Sequence, residues 1–189
     1  MKYSALVFLS IFFSVTSFAQ QTKIYIDPQE KYKLAKEYYQ KDMFNLAYPI
    51  FKELQQSLRE TDRINETVMS QEVDYYTTVC SLKQNEGRAE DIAKEYIELT
   101  RNNGRAQMLS FHLAEYYYRE QKFADAVQLY ETSNIANLSN REIADMKFHQ
   151  GYSYFTLQQF AKAKPLFNTI RSMRDDPNYL DANYYYGFL

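Results

Sequence analysis

From residue 28 onward, apolar and polar positions follow a helical rhythm that repeats. Leu34-Ala35-x-x-Tyr38 is followed by Phe44-x-x-Ala47-x-x-x-Phe51, and Leu113-Ala114-x-x-Tyr117 by Phe123-x-x-Ala126-x-x-x-Tyr130. Gln150-Gly151-x-x-Tyr154, then Phe160-x-x-Ala163-x-x-x-Phe167, is a third copy, and Tyr186-Gly187 begins another. In each full copy the small residue lies nine positions before an aromatic, which lies three before an Ala. The 79 residues between Ala35 and Ala114 leave room for one divergent copy, with Cys80 at the small position and Ile92 where the others carry Ala. Fixed internal spacing of this length predicts stacked helix pairs.

Local signals place the elements. Asp27-Pro28-Gln29-Glu30 is a helix start with Asp as cap and Pro in the first turn. Lys41-Asp42-Met43 makes a turn before a helix over 45–58, where Pro49 is expected among the unpaired first-turn donors. A polar connection over 60–65 precedes helices over 66–83 and 89–101, and Asn102-Asn103-Gly104 is read as a helix stop. Helices over 106–120 and 123–133 follow. Ser139-Asn140-Arg141-Glu142 is a capping box before helices over 140–157 and 160–173. Asp175-Asp176-Pro177 breaks the chain before a final half-repeat.

Composition narrows the class. Among 189 residues only four are Gly and four Pro, too few for a turn-rich β-fold. A hydrophobic fraction of 46% with a mean hydropathy of −0.58 suits amphipathic helices. Net charge is −2 with no basic cluster, which argues against nucleic acid as a partner. Lys2, the apolar run 5–15 and Ser17-Phe18-Ala19 read as a secretory signal peptide over 1–19, cleaved after Ala19, with a membrane anchor as the alternative. An extended segment, 20–27, would follow. Cys80 stands alone, so no internal disulfide forms, and it is read as a buried thiol rather than a nucleophile.

The recurring Ala/Gly, Tyr, Phe, Ala, Phe/Tyr spacing resembles the tetratricopeptide repeat (TPR) family over most of residues 28–189. The family's Trp is absent: Lys31, Ser110 and Lys147 stand in its place. The resemblance implies an all-α, right-handed superhelical solenoid of antiparallel helix pairs, with repeats at about 28–60, 66–101, 106–138 and 140–175 and a partial one at 178–189. The chain's apolar end suggests the N-terminal part of a longer exported bacterial protein. By the same resemblance, the first helix of each pair lines a concave groove holding a peptide or protein. The groove positions would be Tyr32, Lys36 and Tyr39; Phe111, His112, Glu115, Tyr118 and Arg119; and Phe148, His149, Tyr152 and Phe155.

The two histidines occupy equivalent positions 37 residues apart. They are either groove-lining, pH-sensitive groups or packing groups beside Phe111 and Phe148. No phosphate-loop, zinc-protease, nucleophile-elbow or CxxC pattern is present. The expectation is a non-catalytic scaffold without metal or cofactor, exported to a periplasm or associated with an outer membrane through other proteins. A sensor region of a longer signalling receptor, such as a histidine kinase, and a carbohydrate-uptake component are the alternatives.

Overall fold

Asp27 caps the first helix as its sequence predicts. Its carboxylate accepts the Gln29 backbone N–H at 3.0 Å, and α1 runs over Pro28–Gln40. The computed structural model describes residues 27–59 and 67–189. The expected leader over 1–19, all of the 20–27 segment except Asp27, and the 60–65 connection lie outside the described residues. Within the described residues the chain is all-helical, without strands. The succession is α2 (Phe44–Arg59), α3 (Thr67–Lys83), α4 (Ala89–Leu99), α5 (Asn103–Arg119), α6 (Phe123–Thr132), α7 (Asn140–Thr156), α8 (Phe160–Ile170) and α9 (Tyr179–Gly187). A 3-10 turn over Ile135–Asn137 links α6 to α7, where Ser139 and Glu142 form the expected capping box.

Four helices end in the same turn. Asp42, Asn85, Gln121 and Gln158 have φ of 57–58°, a left-handed conformation unusual for residues with a Cβ. The next N–H in each case reaches back five residues: Met43 to Tyr38, Glu86 to Ser81, Lys122 to Tyr117 and Gln159 to Tyr154, at 2.8–3.0 Å. The conformation costs a non-glycine residue about 1–2 kcal/mol, against about 0.5–1 kcal/mol for the greater freedom of an unfolded Gly. Gln158→Gly is therefore expected to stabilise the protein by about 0.5–1 kcal/mol. A rise in the urea midpoint at unchanged slope would show it; a fall would contradict it.

These turns fix the register. Seven residues before each left-handed residue stand Ala35, Thr78, Ala114 and Gly151, all buried. At Gly151 an added Cβ would lie 3.2 Å from Leu166 and Phe167 of α8. The divergent pair departs from expectation: Thr78, not Cys80, takes the small position. In α4 Ala93 is the fully buried residue, whereas Ile92 is 41% exposed. The link from α3 to α4, residues 84–88, is longer than the three-residue links within the other hairpins, which displaced the sequence register.

Two further expectations are corrected. Asn102 does not stop a helix; its side chain accepts the Arg105 N–H at 3.1 Å and starts α5, the role Asn prefers. Pro49 and Pro165 lie past the first turns of α2 and α8, so each helix forgoes a backbone hydrogen bond, on an exposed flank.

Packing follows chain order. Each helix packs on the next, and α3, α5, α7 and α9 also touch in succession. Three core clusters lie along this sequence: around Phe51 and Leu54, around Leu109 and Leu113, and around Phe167 and Ile170. Leu180 and Tyr184 of α9, with Phe188 just past its end, leave one apolar face exposed.

Candidate functional site

One position of the repeat, nine residues before the turn residue in α3, α5 and α7, faces the preceding hairpin. Tyr76, His112, His149 and Tyr185 stand at equivalent places on α3, α5, α7 and α9. Tyr76 lies on the preceding hairpin at Tyr39, with centroids 4.8 Å apart, and Lys36, whose Nζ is 5.4 Å from its ring. His149 lies on Tyr118, stacked at 4.0 Å, and on Glu115. Tyr185 lies on Phe155 and Tyr152, both at 5.2 Å. From the other side Phe51 stacks on Tyr76 at 5.3 Å and Phe167 on Tyr185 at 5.6 Å. The result is a row of half-buried rings on α3, α7 and α9, each with a polar tip, interrupted at the buried His112 of α5.

The two histidines differ because their neighbours do. Where His149 meets Glu115 and Tyr118, the matching positions before His112 are Val79 and Leu82, both fully buried. His112 is buried beside Phe111, and its Nδ1 has no hydrogen-bond partner. Burial, with Lys83 and Arg119 nearby, pushes its pKa down to about 3, so it is neutral. His149 faces the Glu115 carboxylate at 3.0 Å from both oxygens, and the Tyr130 hydroxyl donates to the same carboxylate at 2.6 Å. Burial works against an ionised Glu115, but His149 and Tyr130 more than offset it, and its pKa lies below the usual carboxylate value.

The expected groove residues divide. Tyr32, Lys36, Tyr39, Tyr118, His149, Tyr152 and Phe155 are partly exposed and Arg119 is exposed. Phe111, His112, Glu115 and Phe148 are buried in the core and present nothing to a partner. Middle helices have neighbours on both sides, so a position that is half-exposed in α1 (Tyr32) is closed in α5 (Phe111) and α7 (Phe148). Arg119 ties helix ends together, donating to the Leu82 carbonyl at 2.6 Å.

Sequence reasoning missed Tyr76, Tyr185 and the bridge beside them. Arg105 of α5 pairs with Glu72 of α3, which accepts the Tyr32 hydroxyl of α1 at 3.3 Å. The Arg105 guanidinium sits 4.4 Å from the Tyr75 ring. The only available signal was the spacing of 36, 37 and 36 residues through Tyr76, His112, His149 and Tyr185 once the true turns are known.

Other perturbed groups join neighbouring hairpins. Glu90 accepts Lys122 at 2.8 Å, Lys94 at 2.7 Å and the Tyr117 hydroxyl at 2.9 Å. Those donors, Lys122 foremost, bring its pKa to about 2. Glu131 repeats the arrangement one hairpin on, holding Tyr154 and Lys162. Burial pushes the Cys80 thiol up to about 12. Native protein at pH 8 is expected to leave Cys80 unmodified by a thiol-reactive disulfide reagent that labels it fully in denaturant; rapid native labelling would contradict this.

Among the described residues no group of three or more His, Cys, Asp or Glu could hold a metal ion, and no helix is long and apolar enough to cross a membrane. Compared with family models, curated proteins and solved structures, the chain matches none.

Proposed function

We propose that this protein is a non-catalytic scaffold: an exported, TPR-like, right-handed superhelical array of helix pairs that holds a peptide or protein partner along its row of rings. The repeating dock of Tyr76, His149 and Tyr185 on the hairpin before each carries this reading. A ring docked on the preceding hairpin at three of the four equivalent positions suits a one-dimensional stack, in which each unit buries its apolar face only against its neighbours. The stack leaves a half-exposed aromatic surface, and Tyr is among the residues enriched in protein interfaces. The perturbed carboxylates Glu90 and Glu115 support a non-catalytic role, because each joins one hairpin to another, Glu90 through Tyr117 and Glu115 through His149. Export rests on the apolar run 5–15 and the small residues at 17 and 19.

Affinity capture tests the reading. The full chain, immobilised, is expected to retain a protein that Tyr118→Ala with Phe155→Ala releases. Both side chains are partly exposed but also pack against the core clusters, so circular dichroism and an unchanged slope of urea unfolding verify that the paired variant keeps its fold. Equal retention by both forms, or by neither, would contradict it.

A further inference from the structure

A cleft of about 1320 Å³ separates α2 from α4 on the divergent hairpin, away from the row of rings. Its floor is Thr77, Thr78 and Ser81 of α3. Their hydroxyls donate back to the Val73, Asp74 and Thr78 carbonyls at 2.7–2.8 Å, leaving the floor without free donors. On the α4 wall Ile92 and Leu99 are 41% and 73% exposed. Lys52 and Arg59 line the α2 wall, and Arg88 and Arg101 line the α4 side. Among the described residues none of these four cations forms an ion pair. The lining has two acids: Asp74, which accepts the Gln55 amide at 2.7 Å, and Glu95. A local cation excess in a chain of net charge −2 calls for an anionic occupant.

Size and shape narrow that occupant. The volume exceeds the ~300–1,000 Å³ of small-molecule sites. The α2 wall runs from Tyr48 to Arg59, roughly 17 Å at 1.5 Å per residue. Apolar and cationic positions sit together on the walls, which matches a helix with one apolar and one acidic face. We infer that the cleft is a second docking site that takes an acidic amphipathic segment of a partner protein, its apolar face on Ile92 and Leu99 and its carboxylates toward Lys52, Arg59, Arg88 and Arg101. The inference rests on the scaffold reading and places a second contact on it.

The test is a polarisation titration of the full chain against a fluorescein-labelled helical peptide of about 14 residues, built from Glu, Ala and Leu, and its Lys-for-Glu counterpart. The Glu peptide is expected to bind saturably and more weakly as salt rises, and the Lys peptide not to bind. Arg59→Glu with Arg88→Glu is expected to raise Kd about tenfold or more, and Tyr118→Ala with Phe155→Ala to leave it unchanged. Circular dichroism verifies the charge-reversed fold; Lys52→Glu with Arg101→Glu is the second exposed pair. Four results would overturn the inference: no saturable binding, equal binding of the two peptides, indifference to both charge reversals, or equal binding of a 14-nucleotide single strand. A dimer that charge reversal splits would overturn it in favour of self-association. Loss of peptide binding alongside intact ring-dependent capture removes only the cleft, and loss of capture alone removes only the row of rings.

Discussion

Glu115→Ala is expected to lower the unfolding free energy by about 3–5 kcal/mol. Glu115 is 8% exposed, and its side chain links α5 to α6 through Tyr130 and to α7 through His149. Truncation leaves the Tyr130 hydroxyl and the His149 Nδ1 without their acceptor in a water-poor interior, and each such group costs about 1–3 kcal/mol. For a chain of this length the melting temperature should fall by roughly 10 °C. Glu115→Gln retains an acceptor for Tyr130 but no charge for His149, and should cost about 1–2 kcal/mol.

The same group gives a pH signature. Its folded pKa lies below its unfolded value, so its contribution is fully present above the ordinary carboxylate pKa of about 4.3. It is lost as pH falls through the lower folded value. The part of the stability gap between wild type and Glu115→Ala that the carboxylate supplies should shrink as pH falls below about 4. Chemical denaturation between about pH 5 and 2 checks it; a gap that does not shrink below about pH 4 would contradict the lowered carboxyl pKa.

Phe167→Ala is expected to cost about 3–5 kcal/mol and to act at one end of the molecule. Phe167 is fully buried, stacked on Tyr185 of α9 at 5.6 Å and set 5.9 Å from Phe148 of α7. It also fills the space that Gly151 leaves by having no Cβ. The cavity removes the ring on which α9 rests. Amide exchange should therefore rise most in α9 and α8 while α1 to α3 keep their protection. Uniform loss of protection would mean that the hairpins do not act as separable units. Phe51→Ala should produce the mirror effect at α1 to α3, since Phe51 is equally buried and stacks on Tyr76 at 5.3 Å.

Helix positions and many caps were legible because they rest on short-range rules. Asp27 and Ser139 act as caps where the sequence places them, and all-helical character followed from the period and the scarcity of Gly. The left-handed turn residues were not legible, because Asp42, Gln121 and Gln158 carry none of the glycine that marks such turns. Without them the divergent pair was aligned on Cys80 and Ile92 instead of Thr78 and Ala93. Half-burial in the candidate surface was illegible for a different reason. Tyr32, Phe111 and Phe148 share one position in the repeat, and only the number of flanking helices decides whether the ring meets solvent. The unequal histidines depend on Glu115 against Val79, a difference between hairpins that no single-repeat pattern contains.

Spin labels at the four turn residues test the proposed stack most directly. Asp42, Asn85, Gln121 and Gln158 are exposed, occupy one equivalent position and accept Cys, with Cys80 buried and unreactive. Adjacent helices pack about 8–10 Å apart, so measured from Gln158 the distances should increase in steps of roughly 10 Å through Gln121 and Asn85 to Asp42. A steady increase ending near 30 Å is the predicted result. A distance from Gln158 to Asp42 no longer than that to Gln121 would mean a closed bundle, and would contradict the account.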